Sequence, residues 1–205
     1  MKWIGSGTTV QACNKWRAGQ VFLSMRSLRS LLIFLCLLSG AAFAADARVA
    51  PDFTLESVSG ESITLSEVTA EQPVILLFWA TWCPYCKALM PHIHSIRLEH
   101  GDKVRVVAVH FRDDKGDPAA FIRNAGYDFT VLRDGNDVAK KFDVWGTPGL
   151  LLIDQDRNIR FNLYELPKPE FPVSEGELSH PQRAAYRAPY WAAEIRKSLD
   201  EILSD

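Results

Sequence analysis

Pro73-Val74-Ile75-Leu76-Leu77-Phe78-Trp79 leads into Trp82-Cys83-Pro84-Tyr85-Cys86, and Lys87-Ala88-Leu89-Met90 follows. The first segment is an unbroken apolar run of strand length, as expected of a central strand covered on both faces. The last is a good helix start. A Cys-x-x-Cys pair therefore sits where a buried strand hands over to a helix N-terminus. The unpaired N–H groups and partial positive charge at such an end favour a thiolate over a thiol. The thiolate is the nucleophile of disulfide exchange. Cys83, at the mouth of the helix, is expected to be the more exposed, attacking sulfur. Cys86, one turn inside, is expected to resolve a mixed disulfide. Pro84 suits the first turn, where its missing N–H costs nothing, and Tyr85 is the variable group that tunes the pair. Trp79 and Trp82 shield the site; Trp82 offers apolar surface to a partner and Trp79 doubles as core.

The chain has 205 residues, 47% of them hydrophobic, which suits one globular domain with a real core. A net charge of -2, with no basic face, gives no sign of a nucleic-acid or anionic-membrane partner. The cysteines are Cys13, Cys36, Cys83 and Cys86, and the first two fall in an address segment. Met25-Arg26-Ser27-Leu28-Arg29 is basic, residues 31–38 are apolar, and Ala42-Phe43-Ala44 places small residues where a signal peptidase reads them. That is the form of a secretory signal cleaved after Ala44. Its apolar run is shorter than the roughly 20 residues needed to span a bilayer; an uncleaved N-terminal anchor is the alternative. Met25 reads as the true start. Residues 1–44 are thus leader and signal, and residues 45–205 a mature domain with one cysteine pair. A disulfide between residues three apart closes a tiny loop and contributes little entropy, so redox chemistry is a better reading than a structural staple.

Downstream, strand-like and helix-like segments alternate. Residues 104–110 read as a strand, Asp117-Pro118 as a capped helix start running to Gly126, and residues 129–132 as a strand. Asp134-Gly135 reads as a turn, residues 138–142 as a short helix, residues 150–154 as a strand, and residues 153–159 as a closing hairpin. This alternation argues an α/β layered fold. Ahead of the cysteines, residues 51–55 and 62–65 alternate apolar and polar around a turn-like stretch, a β-hairpin.

The strand–Cys-Pro-Tyr-Cys–helix junction resembles the active site of the thioredoxin superfamily, and within it the exported TlpA/ResA/CcmG-like thiol–disulfide oxidoreductases. Pro91 kinks the helix at the thioredoxin offset. Gly146-Thr147-Pro148-Gly149 before an apolar strand resembles that superfamily's cis-proline loop. The hairpin resembles the opening of TlpA-like and peroxiredoxin-like chains. The resemblance covers about residues 51–162. It implies a thioredoxin fold, a central mixed β-sheet flanked by helices, with an N-terminal β-hairpin extension. It implies that Thr147 offers backbone hydrogen bonds to a substrate strand and that Pro148 keeps metal away from the thiols. It also implies a monomeric enzyme without cofactor or bound metal, acting on protein thiols and disulfides in the periplasm of a Gram-negative envelope. The expected direction is reductant rather than oxidant. A reductant would draw electrons from a DsbD-type membrane reductase and serve apocytochrome thiols or misoxidised envelope proteins; an oxidant would need a DsbB-type partner.

Two departures from the pattern matter. Thioredoxin's buried Asp is replaced by Leu77, and the Glu of ResA-like chains by Leu89. Water or a partner's group is then expected to take the Cys86 proton. The missing negative charge eases thiolate formation, so Cys83 is expected below the free thiol pKa of about 8.5. Lys87 in place of a histidine after Cys86 excludes c-type haem attachment. His92 and His94 point to different sides of a helix, and no second ligand pair accompanies the cysteines. Two rival readings remain: a peroxiredoxin-like peroxidase, which wants a Thr-x-x-Cys nucleophile, and a periplasmic copper or metal chaperone using Cys83, Cys86 and His92. Beyond the resemblance, prolines at 167, 169, 172, 181 and 189 mark residues 164–190 as an irregular Pro-rich insert, read as a long loop in preference to a partner-docking element. Trp191, Ile195, Leu199, Ile202 and Leu203 fall at helical spacing and mark residues 191–204 as a C-terminal helix.

Overall fold

The computed structural model describes residues 48–171 and 175–205; the leader, signal and Met25 expectations lie outside the described residues. The centre is β3 (Val74–Trp79), the apolar run that precedes the cysteines, buried along its whole length. It lies parallel to β4 (Arg105–His110) and antiparallel to β6 (Gly149–Ile153). With β5 (Thr130–Leu132) and β7 (Ile159–Asn162) the sheet order is β5-β4-β3-β6-β7, a mixed sheet. The expected hairpin is present as β1 (Thr54–Glu56) paired with β2 (Ser62–Thr64). It abuts one sheet edge, where Val58 N–H donates to the Val131 carbonyl at 2.9 Å.

Successive side chains of a strand point to opposite faces, and β3 divides its residues accordingly. Ile75, Leu77 and Trp79 join one buried cluster, which includes both cysteines. Val74, Leu76 and Phe78 join the other. Over the first face lie α2 (Pro84–His100) and α5 (His180–Ser204), with α3 (Pro118–Ala125) contributing Ile122. Over the second lie α1 (Leu65–Glu71) and α4 (Asn136–Lys141). Helix α3 follows its sequence signals: Asp117 accepts the Ala120 amide at 2.9 Å, and Gly126 ends the helix in the left-handed region.

Two parts of the fold correct the sequence reading. Helix α1 starts at Leu65, the last residue of the expected hairpin, and runs on to Glu71 through residues to which the sequence assigns no element. It is one short amphipathic stretch, and its first turn is capped from outside, by Asp52 accepting the Ser66 amide at 3.0 Å. Helix α5 begins at His180, not at Trp191, so the irregular insert of residues 164–190 ends before the helix. Ser179 and Gln182 form a capping box, Pro181 sits in the first turn, and Pro189 lies inside the helix. The inward face of that first half is Ala184, Ala188 and Ala192. Small alanines among prolines carry little hydrophobic periodicity, yet they let α5 lie close to α2. Glu99 of α2 then accepts two hydrogen bonds from Arg196 of α5, at 2.8 and 2.9 Å.

Candidate active site

The cysteine pair is placed by the end of β3 and the start of α2. Cys83 is the N-cap of α2, and Pro84 occupies its first turn. Cys83 and Cys86 are joined as a disulfide with Cα atoms 5.3 Å apart. The Cys86 amide donates to the Cys83 sulfur at 3.1 Å, so one of the helix's unpaired N–H groups points at sulfur, the arrangement that favours a thiolate after reduction. Helix α2 continues through Pro91 to His100.

One expectation fails here. Cys83 is not the more exposed sulfur: both cysteines have 0% exposure in the oxidised form. Cys83 caps the helix from within, its N–H donating to the Ala80 carbonyl at 3.1 Å and its sulfur turned toward Cys86. The exposed group at the mouth is Trp82, at 57%, while Trp79 is fully buried. The replacements for the two family acids, Leu77 and Leu89, lie in the same fully buried cluster as both sulfurs.

The Thr147–Pro148 peptide is cis. Because β6 runs antiparallel to β3, with Phe78 opposite Gly149, the Thr147-Pro148 loop and the cysteine turn emerge from the same edge of the two strands. Tyr85, Thr147 and Pro148 line one groove of about 370 Å³. Thr147 makes no backbone hydrogen bond within the described residues. Gly146, by contrast, is held on both sides by Tyr164: its N–H donates to the Tyr164 hydroxyl at 3.1 Å, and that hydroxyl donates to the Gly146 carbonyl. The Tyr164 ring also stacks on Trp145, 4.9 Å between centroids. Burial pushes the Tyr164 phenol up, against the smaller opposing effect of the Gly146 bond. Gly149 is a glycine because a Cβ there would press on Val144 and approach the Tyr164 hydroxyl.

A polar frame behind the cysteine turn escaped the sequence reading. Asp113 accepts from the Thr81 amide at 2.7 Å, the Thr81 hydroxyl at 2.6 Å and His110 Nε2 at 3.0 Å. Burial alone would raise its pKa, but the Thr81 and His110 hydrogen bonds together hold it down to about 2. The His110 ring packs edge-on to Trp79, 5.5 Å away. Arg112, in the left-handed region, links two parts of the site: its carbonyl accepts the Trp82 indole N–H at 3.1 Å, and its guanidinium donates to the Trp145 carbonyl at 2.8 Å. Only Gly116 fits over this frame, since a Cβ there would collide with Asp113 and Thr81. These partners lie about thirty residues from the cysteine turn, and no local pattern in the sequence pairs them.

His92 and His94 are not brought together as ligands. His94 packs on Tyr127 and Phe129, at 5.3 and 6.2 Å. No group of three or more His, Cys, Asp or Glu able to hold a metal occurs among the described residues.

A family model described as "AhpC/TSA family" matches residues 47–162. The chain is 28% identical over 144 residues to the thioredoxin-like protein YneN of Bacillus subtilis, covering 69% of this chain and 84% of that protein. It is 30% identical over 115 residues to the thiol:disulfide interchange protein DsbE of Escherichia coli, covering 54% of this chain and 60% of DsbE. Among solved structures, the thioredoxin domain of a thiol–disulfide oxidoreductase from Bacteroides vulgatus matches with a TM-score of 0.53 at 22% identity, over 60% of this chain and 90% of that domain. This likeness establishes the thioredoxin fold. The family match ends at residue 162.

Proposed function

This chain belongs to the AhpC/TSA family and is a thioredoxin-like thiol–disulfide oxidoreductase, and from that premise we propose that it works as an exported reductant of protein disulfides. The observation that carries the reading is the Cys83–Cys86 disulfide closed on the first turn of α2, beside the cis Thr147–Pro148 loop. In this proposal reduced Cys83 attacks a substrate sulfur and forms a mixed disulfide. Cys86 then attacks Cys83, releasing the substrate as a dithiol and leaving the Cys83–Cys86 disulfide. Two electrons pass from the pair to the substrate. Trp82, Pro84 and Tyr85 shape the mouth, and Thr147 offers its unpaired N–H and C=O to an extended substrate segment. Because Leu77 and Leu89 leave no acid beside Cys86, its proton leaves to water or to a group of the partner. The likeness to DsbE, a thiol:disulfide interchange protein, supports exchange chemistry; the resemblance of the Cys-Pro-Tyr-Cys junction to the TlpA/ResA/CcmG-like branch supports the reductant direction, a periplasmic setting and electron supply from a DsbD-type membrane reductase. The signal-like residues 25–44 support export. No helix among the described residues is long and apolar enough to cross a membrane.

The test is a trap. A Cys86→Ser variant, expressed with its native leader, should accumulate mixed disulfides through Cys83 that dithiothreitol releases. A Cys83→Ser variant should accumulate none. Equal trapping by both, or by neither, would sink the assignment of roles. A peroxidase reading shares the hairpin but lacks its nucleophile motif: position 80, three before Cys83, is alanine. Peroxide consumption at the rate of uncatalysed thiol oxidation is the expected result.

A further inference from the structure

Arg112 stands where the backbone would suit a different residue. It lies two residues past the end of β4, with φ at 54°, in the left-handed region. A long side chain there costs free energy that glycine avoids, and otherwise Asn and Asp visit the region most readily. The left-handed residues on the neighbouring loops, Asp134 and Asp143, are of that tolerant type.

The conformation of Arg112 is imposed from both sides. The Phe111 N–H donates to the Trp79 carbonyl at 3.1 Å, and the Gly135 N–H donates to the His110 carbonyl at 3.0 Å. The Arg112 N–H donates to the Asn136 side chain at 3.0 Å. Asp113 is fixed on Thr81 and His110. Backbone strain that its surroundings over-determine in this way clusters at functional sites.

What the position gains is reach to both halves of the active site. Trp82, next to Cys83, donates its indole N–H to the Arg112 carbonyl at 3.1 Å. The Arg112 guanidinium donates to the Trp145 carbonyl at 2.8 Å. That carbonyl and the Gly146 N–H belong to one planar peptide unit, and the Gly146 N–H is taken by Tyr164. Arg112 and Tyr164 therefore grip the unit at its opposite ends, directly before Thr147. Strand β3, which carries the cysteine turn, lies between β4 and β6. A side chain from the end of β4 thus bridges the end of β3 to reach the loop before β6.

We propose that Arg112 is a positioning residue for disulfide exchange, a strut that holds the Thr147-Pro148 loop in a fixed place relative to Cys83. The proposal rests on the thiol–disulfide reading above. Arg112 acts through the loop and through Trp82, not on sulfur itself. A polypeptide substrate has to meet the loop and the cysteine together, so it feels the strut. A small disulfide needs only the sulfur.

The experiment uses the full chain, expressed with its native leader and fully reduced, in single turnover against two substrates. One is a peptide closed by an internal disulfide. Cys83 attacks one peptide sulfur, Cys86 then attacks Cys83, and the peptide leaves as a dithiol while the protein takes up the disulfide. Loss of protein thiols is read by alkylation. The other substrate is dithiobis(nitrobenzoate), from which the same two steps release two thionitrobenzoate anions, read by absorbance. Arg112→Gln, at an exposed position, should lower the peptide rate constant about fivefold, the worth of one charge-assisted hydrogen bond discounted for solvent, and change the dithiobis rate by less than about twofold. The loss should appear in the half-saturating peptide concentration and not in the limiting rate. Arg112→Lys, which keeps a donor, should restore most of it. Arg112→Gly relaxes the backbone and keeps the carbonyl, so its Tm should stay near wild type while the peptide rate falls as in Arg112→Gln. Equal losses on both substrates, no loss in either the Gln or the Gly variant, or a Lys variant no better than Gln would each overturn the proposal while leaving exchange intact. No reaction of the wild-type protein with either substrate would overturn the exchange reading together with it.

Discussion

Replacing Tyr164 with Phe removes one oxygen and leaves the ring stacked on Trp145. The lost hydroxyl is the partner of both the N–H and the carbonyl of Gly146, the residue just before Thr147-Pro148. An unsatisfied buried polar group costs about 1–3 kcal/mol. Gly146 is half-buried, so water replaces part of the loss, and about 2 kcal/mol for the two bonds together is the expected cost. For a domain of this size that corresponds to a Tm lower by roughly 4–8 °C. The loop should also lose its fixed backbone geometry where a substrate segment pairs. The expected kinetic signature is a raised KM for a polypeptide disulfide, with exchange against a small dithiol much less affected. Calorimetry and parallel assays with a disulfide peptide and with dithiothreitol measure both. An unchanged Tm together with an unchanged KM would refute the claim that Tyr164 holds this loop.

Asp113 gives a pH prediction. Its folded pKa, about 2, lies below the unfolded value of about 3.9. Its contribution is therefore complete above about pH 4 and is lost as pH falls toward 2. It amounts to about 2 kcal/mol, and Asp113→Asn should remove that part of the acid slope in urea titrations at a series of pH values. Gly116→Ala should break the same frame by driving a methyl into Asp113 and Thr81, lowering Tm and shifting the tryptophan fluorescence of the Trp82 region. Ile195→Ala empties a fully buried site between α5 and the sheet and should cost about 2–5 kcal/mol in denaturant unfolding. Glu99→Gln loosens an exposed ion pair and should cost less than about 1 kcal/mol, diminishing with salt.

Much of this architecture was legible because its signals are local. The apolar run of β3 with its Cys-x-x-Cys, the Asp117-Pro118 start and Gly126 stop of α3, and Gly146-Thr147-Pro148-Gly149 each announce themselves within a few residues. What sequence missed depends on distant partners. Thr64-Leu65-Ser66-Glu67 fits a capping-box start for α1, a signal the sequence reading passed over, yet the Thr64 side chain makes no cap hydrogen bond and Asp52, fourteen residues from Ser66, caps the first turn instead. The first half of α5 buries alanines, which are too small to stand out between Pro181 and Pro189. Exposure of Cys83 was inferred from its place at a helix mouth, but its sulfur is directed inward, against Cys86. The Asp113–Thr81 frame joins a loop to a turn thirty-two residues earlier. Tyr164 acts on the site only because β7 carries it, beyond the family match, back beside the Thr147-Pro148 loop.

The central claim is that Cys83 and Cys86 form a reversible couple that gives electrons to protein disulfides. Its most direct test is the reduction potential of that couple, from equilibration of the mature domain with glutathione or dithiothreitol mixtures followed by alkylation of free thiols. A reductant is predicted to lie near thioredoxin, about -270 mV. A value near about -120 mV, that of a strong oxidant, would reverse the proposed direction of electron flow, and no redox transition at all would contradict the account.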